Sequence, residues 1–174
     1  MNAADTRSIA RRALIVGTGG AAALAAGLTA FTSSVHAAAA DELHAAYNRL
    51  LDRYVAALNA HDTSKFPEIF TEAYIQHSGR SPSGLQAQIA NFQRIFANWP
   101  DLQSRVEDRI IGGDKIVART TLSATHTRTV QGLPPTGKRV TWGTIDIWRV
   151  ENGKFAEHWD IVDAAGLQKQ LRGE

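Results

Sequence analysis

The sequence predicts an α+β domain in which helices come first and an antiparallel sheet follows. Three observations carry that prediction. Apolar residues recur at three- and four-residue steps as far as Pro100 and alternate beyond it. The alternating runs are joined by tight turn sequences, Gly112-Gly113-Asp114 and Glu151-Asn152-Gly153. Helices gathered before the strands, instead of alternating with them, pack against one face of a sheet.

Residues 1–37 read as a segment apart from that domain. Arg7, Arg11 and Arg12 precede an uncharged Ala/Gly-rich run from Ala13 to Thr32, and Val35-His36-Ala37 is a small-x-Ala cleavage pattern. Together they predict an export signal, and Arg11-Arg12 before Ala13-Leu14-Ile15 resembles the twin-arginine kind, so export machinery is an expected partner. The mature chain, 38–174, would be periplasmic or secreted, or membrane-anchored if the run is left uncleaved. Cleavage leaves 137 of the 174 residues, enough for one core and a pocket. Three of the 19 Lys+Arg and one of the 17 Asp+Glu go with the signal, so 16 of each remain. A neutral domain argues against nucleic acid or an acidic membrane surface as partner. With no cysteine, disulfides, thiolate nucleophiles and Cys-type zinc sites are excluded.

Within the domain, Leu43, Tyr47, Leu50, Leu51, Tyr54 and Leu58 form one apolar stripe and predict a helix over Asp41 to Ala60. Asn59-Ala60-His61-Asp62 stops it, and Thr63 to Phe70 fits a short second helix. Ala73 to His77 is a short strand. Ser81-Pro82-Ser83-Gly84 starts a third helix with Leu85, Ile89, Phe92, Ile95 and Phe96 on one face, ended by Trp99-Pro100. Four strands follow: Leu102 to Ile111, Ile116 to Thr127, Val140 to Val150 and Phe155 to Val162. Gly166 and Leu167 to Leu171 form a closing segment.

The stretch Lys154 to Asp163 carries the chemistry-bearing residues. Alternation sends Ala156, His158, Asp160 and Val162 to one face and Phe155, Glu157, Trp159 and Ile161 to the other. The preceding strand pairs with it in one of two registers. A two-residue Asn152-Gly153 turn sets Asp146 opposite Trp159, away from His158. A three-residue loop with a bulge at Gly153 pairs Asp146 with His158 and Thr144 with Asp160. The second gathers the polar groups on one face, among Trp142 and Trp148, and is preferred. The other face, with Phe155, Trp159, Ile161, Ile145 and Ile147, needs cover, which predicts a homodimer.

Gly132-Leu133-Pro134-Pro135-Thr136-Gly137-Lys138, the Asn152-Gly153-Lys154 turn and Glu157-His158-Trp159-Asp160 occur in an order and spacing that resembles the SnoaL-like polyketide cyclases, the ester cyclase family of the nuclear transport factor 2-like superfamily. The resemblance covers roughly Leu43 to Leu171. It implies a curved antiparallel sheet that wraps with the helices into a cone around a deep pocket. It also implies acid/base chemistry without metal or cofactor, an intramolecular aldol closure in which the position of Asp160 is the acid/base. A histidine assists on the neighbouring strand in those cyclases, and its equivalent here is Asp146, a departure from the family's pattern that leaves the polyketide substrate open. His158 and His126 fall on family positions near the pocket.

The candidate catalytic residues are therefore Asp160, His158 and Asp146, with His77, His126, Trp142, Trp148, Tyr54 and Leu58 lining the pocket. Each has a plainer role open to it: Asp160 as an acceptor for backbone N–H groups, Asp146 as partner of a structural His158, the other histidines as half-buried polar residues, the aromatics as core. His44 and His61 read as surface residues. His158-x-Asp160 supplies two metal ligands on one face and no helix pair supplies the rest, so no metal is expected. The absence of a G-x-S-x-G elbow argues against a serine hydrolase. The expected chemistry is proton abstraction next to a carbonyl of a small hydrophobic compound by Asp160, its basicity raised by a wall of Trp and Ile, with His158 donating to the enolate oxygen. The alternative is the same pocket as a periplasmic or secreted binding protein for a small apolar ligand.

Overall fold

The computed structural model describes residues 20–174. Contacts divide the chain between Asp41 and Glu42, and the fold below is that of Glu42–Glu174. The predicted export signal lies largely outside the described residues, although the first helix, α1 (Gly20–Asn59), runs without a break through Ala37. No helix among the described residues is long and apolar enough to cross a membrane.

The buried side of α1 is Tyr47, Leu50, Leu51, Tyr54 and Leu58, the predicted stripe, except that Leu43 at its start is 43 % exposed. His61, at φ 53°, breaks the helix in a left-handed turn. The end is then tied to the sheet: Asn59 Nδ2 donates to Ser104 O (3.0 Å), and Asn59 Oδ1 accepts from Ser104 N (2.7 Å). His61 is not a surface residue. Its Nε2 meets Leu102 O at 3.0 Å and its ring stacks on Phe96, which a left-handed turn aims inward.

A 3-10 turn (Thr63–Lys65) leads into α2 (Phe66–Ile69) and β1 (Phe70–Gln76). Helix α3 (Leu85–Asn98) starts after Gly84, whose φ of 102° favours glycine, and ends at Trp99. Strands β2 (Gln103–Gly112), β3 (Lys115–Thr125), β4 (Arg139–Glu151) and β5 (Lys154–Val162) form a meander, and α4 (Ala164–Arg172) closes the chain. The sheet order is β1-β5-β4-β3-β2. It is not wholly antiparallel: β1 joins the free edge of β5 in parallel, with Gln76 beside His158. The connection 77–83 is closed by Gly84 N to Tyr74 O (2.6 Å) and Gln76 N to Ser83 Oγ (3.1 Å).

The β4–β5 register differs from both expected ones. Asn152 (φ 50°) and Gly153 (φ 73°) form a two-residue turn with Glu151 opposite Lys154 and Val150 opposite Phe155. That register alone would put Asp146 and His158 on opposite faces. Ala156 is then left out of the ladder, so that Arg149 faces Glu157, Trp148 faces His158 and Asp146 faces Asp160. A bulge at Ala156, not a longer loop, restores the parity that brings the polar groups together. The same bulge corrects the face of Phe155: it is fully buried and stacks on Trp148 at 4.8 Å, so it is core and takes no part in the outer face. Ile145 (50 % exposed) and Ile161 (75 % exposed) do stand on that outer face.

Two apolar clusters fill the space between helices and sheet. One gathers α1, α2 and β1 around Trp148 and Phe155; the other gathers Trp99, Leu102, Val140, Trp142 and the α4 leucines. The cavity runs between them.

Candidate functional site

The inner face of the sheet and the inner sides of α1 and α3 enclose a cavity of about 500 Å³. Tyr54 and Leu58 of α1, Trp142 and Trp148 of β4, and Asp146, His158 and Asp160 all line it. Leu51, Phe92, Ile95, Trp99 and Leu122 add apolar wall, and Ser104, Thr120 and Thr144 of the sheet and Gln88 of α3 add polar groups.

A chain of hydrogen bonds fixes the polar end. Ser78 N donates to Gln76 Oε1 (3.1 Å), which turns the amide nitrogen of Gln76 to His158 Nδ1 at 2.9 Å. Nδ1 therefore accepts, and the imidazole proton sits on Nε2, donated to Asp146 Oδ1 at 3.0 Å. Thr144 Oγ1 donates to the other Asp146 oxygen at 2.6 Å. The His158 ring lies against Trp148, centroids 5.1 Å apart and planes 7° from parallel. Both ring nitrogens are engaged, so His158 has no hydrogen to offer a substrate while this chain is intact. The expected donation from His158 to an enolate would require one of these hydrogen bonds to open.

Asp160 has a different partner. Arg80, from the β1–α3 connection, holds Asp160 Oδ2 through Nη2, whereas Oδ1 is buried without a partner. Two more buried polar atoms near the cavity lack partners, Gln88 Oε1 and Tyr74 Oη. Burial, and then the charge of Asp146 and the neighbouring Tyr74, push the Tyr54 hydroxyl well above its ordinary pKa. Burial and then Asp146 act the same way on Tyr74. Both phenols are neutral O–H donors at any working pH.

His77 and His126 do not line the cavity. His77 lies on the outer face, where Nε2 meets Glu157 Oε2 at 2.8 Å and the ring stacks on Trp159 at 4.4 Å. With Arg149 Nε at 2.6 Å from the same carboxylate, these two hydrogen bonds hold Glu157 below the usual carboxylate range. His126 is fully buried and anchors the Pro-Pro loop: its carbonyl accepts from Thr136 N and Gly137 N, and Nδ1 pairs with Thr136 Oγ1 at 3.1 Å. Sequence reasoning did not find Gln76, Arg80 or Gln88. Gln76 and Arg80 reach the site through the parallel β1–β5 pairing and the loop after it, neither of which has a short-range signature, and Gln88 reaches it from α3.

The register adds a third potential metal ligand to the two counted from sequence. Ligand atoms of Asp146, His158 and Asp160 lie within 4.8 Å of one another. In this structure His158 and Asp146 bond to each other and Arg80 pairs with Asp160.

A helical layer over a meander with one added parallel strand, enclosing an apolar cavity with two carboxylates at one end, defines a small-molecule pocket protein of the nuclear transport factor 2-like α+β fold. The family model of SnoaL-like polyketide cyclases matches residues 48–171, and the chain belongs to that family. It is 27 % identical over 107 residues to nogalonic acid methyl ester cyclase of Streptomyces nogalater, covering 60 % of this chain and 78 % of that protein. It is 26 % identical over 129 residues to aklanonic acid methyl ester cyclase DauD of Streptomyces sp. strain C5, covering 70 % and 79 %. Among solved structures, TsrD from Streptomyces laurentii superposes with a TM-score of 0.68 at 32 % identity, covering 73 % of this chain and 95 % of that one. A SnoaL-like polyketide cyclase from Agrobacterium tumefaciens (TM-score 0.64, 23 % identity, 71 % and 96 % covered) shares the fold.

Proposed function

We propose that this chain catalyses an intramolecular aldol-type cyclisation, or a related proton transfer, on a small hydrophobic carbonyl compound, with Asp160 as acid/base and no cofactor. The observation that carries it is Asp160 Oδ1, a buried carboxylate oxygen without a partner in the wall of an apolar cavity. An acceptor left open in such a place costs about 1–3 kcal/mol at rest and is recovered when a substrate brings a proton to it.

In this reading Oδ1 takes a proton from the carbon next to a carbonyl. The enolate carbon attacks a second carbonyl of the same molecule, forming the C–C bond, and the resulting alkoxide takes the proton back from Asp160. Atoms balance as an isomerisation. Tyr54 lines the cavity with a protonated hydroxyl and is the donor available to the developing enolate oxygen. The Gln76–His158–Asp146 chain holds the floor of the site, and the Trp wall keeps the substrate folded. The names of the two Streptomyces relatives support a cyclisation of this kind.

The test is turnover of a 1,5-diketone or a β-keto ester that can close on itself, with Asp160→Asn as the control. Ring closure by the wild type and its loss in the variant support the reading; closure at equal rates removes Asp160 from the chemistry. A binding protein for a small apolar ligand is the second reading, favoured by Arg80 covering Oδ2 and by the saturated His158. Tight binding without conversion by the wild type selects it.

Residues 1–37 support export, with the mature chain starting near Ala38 in the periplasm or medium and pairing as a homodimer through the Ile145/Ile161 face. Mass spectrometry of the protein from its own host decides the first point, an intact Met1 going against it. Sedimentation decides the second, a monomer going against it.

A further inference from the structure

Two arginines line the cavity, Arg80 from the β1–α3 connection and Arg94 from α3. Arg94 is exposed and is steadied by Asn91, another lining residue, whose Oδ1 accepts from Nη2 at 2.6 Å. Among the described residues it has no carboxylate partner, although Asp52, Asp101, Glu107, Glu151 and Glu157 are all taken by other cations. Nearly two turns earlier on the same helix, Gln88 lines the cavity with a buried, unpartnered Oε1. Gln88, Asn91 and Arg94 are spaced by three, so α3 presents a polar row to the cavity, from a buried amide to the Arg94 guanidinium.

We propose that the substrate carries a carboxylate on its apolar body, and that Arg94, helped by Arg80, binds that carboxylate. The proposal rests on the reading of the cavity as the acid/base site. A planar monoanion suits the pairing because guanidinium groups bind carboxylates through parallel N–H bonds. A dianion such as a phosphate ester fits less well, since Asp146 and Asp160 stand in the same cavity. Arg80 is half exposed and its pair with Asp160 is exchangeable, so an incoming carboxylate competes for it and leaves Asp160 less encumbered. The two Streptomyces relatives are named for methyl esters; this chain would take a free acid.

Calorimetry on the full chain tests it with two matched pairs of probes, phenylacetic acid and 1-naphthylacetic acid, each against its methyl ester. The expected result is that the acids bind about tenfold or more tighter than the esters, as one charge-assisted contact provides. Added salt weakens the acids and leaves the esters alone. Arg94→Gln brings the acids to the level of the esters without moving the latter. Esters that bind as well as acids, or an acid preference that survives in Arg94→Gln, overturn the proposal and leave the cavity reading in place. If neither acids nor esters bind, both fall.

Discussion

Asp146 stands directly opposite Asp160 across the β4–β5 pair, two carboxylates set side by side on the cavity face. Like charges in that position repel, at a cost of roughly 0.2–1 kcal/mol. The surroundings offset it differently on each side: hydrogen bonds from His158 and Thr144 for Asp146, a guanidinium for Asp160. The pair makes the site open to tests on stability as well as on rate.

Asp160→Asn is expected to leave the domain as stable as the wild type or up to about 1 kcal/mol more stable, because it removes the cross-strand repulsion and Arg80 is exposed enough to stay solvated. Urea denaturation checks this. A loss of several kcal/mol would make Asp160 a structural residue.

Gln76→Leu removes the donor to His158 Nδ1 and releases the tautomer. Nitrogen NMR of the imidazole is expected to show the Nε2–H form alone in the wild type and a mixture in the variant. Turnover should fall about tenfold through kcat, with KM little changed, because the effect acts through positioning. An unchanged tautomer in the variant would remove Gln76 from that role.

Gly153→Ala forces a side chain into φ 73° at the turn and is expected to destabilise by about 1–2 kcal/mol. Deleting Ala156 removes the bulge without changing the pairing: Val150 still faces Phe155, Arg149 faces Glu157, Trp148 faces His158 and Asp146 faces Asp160, now in a regular ladder, so the polar groups keep the cavity face. The variant is expected to fold and to keep turnover, as circular dichroism and a rate assay check; a deletion variant that folds but loses the site would mean that Ala156 is not the residue that sets its parity.

Tyr54 and Tyr74 have folded pKa values raised above the ordinary 10.0 by burial. The sign follows: the unfolded chain ionises first, so stability is complete below about pH 10 and falls as pH rises beyond it, by about 1.4 kcal/mol per pH unit for each group. Alkaline unfolding followed by phenolate absorbance should show both ionising together with the loss of structure. Tyr54→Phe should make the fall with pH less steep.

The sequence by itself determined the order of helices and strands, the stop at His61, the end of α3 at Trp99-Pro100 and the hairpin at Asn152-Gly153, because each is a short-range matter of period, turn chemistry and breakers. It also placed Asp160, His158 and Asp146 on one face, though by way of the wrong turn. Tertiary structure decided the rest. The bulge at Ala156 depends on Phe155 and His158 both seeking the core, a demand that alternation along one strand cannot register. The parallel addition of β1 to β5 is a pairing between segments far apart in the chain, and with it come Gln76 beside His158 and Arg80 over Asp160. For the same reason His77 and His126, which look alike in sequence, end on an outer face and inside a loop anchor. The partners that determine what a titratable group can do are set by long-range contacts, and those follow from how the layers pack.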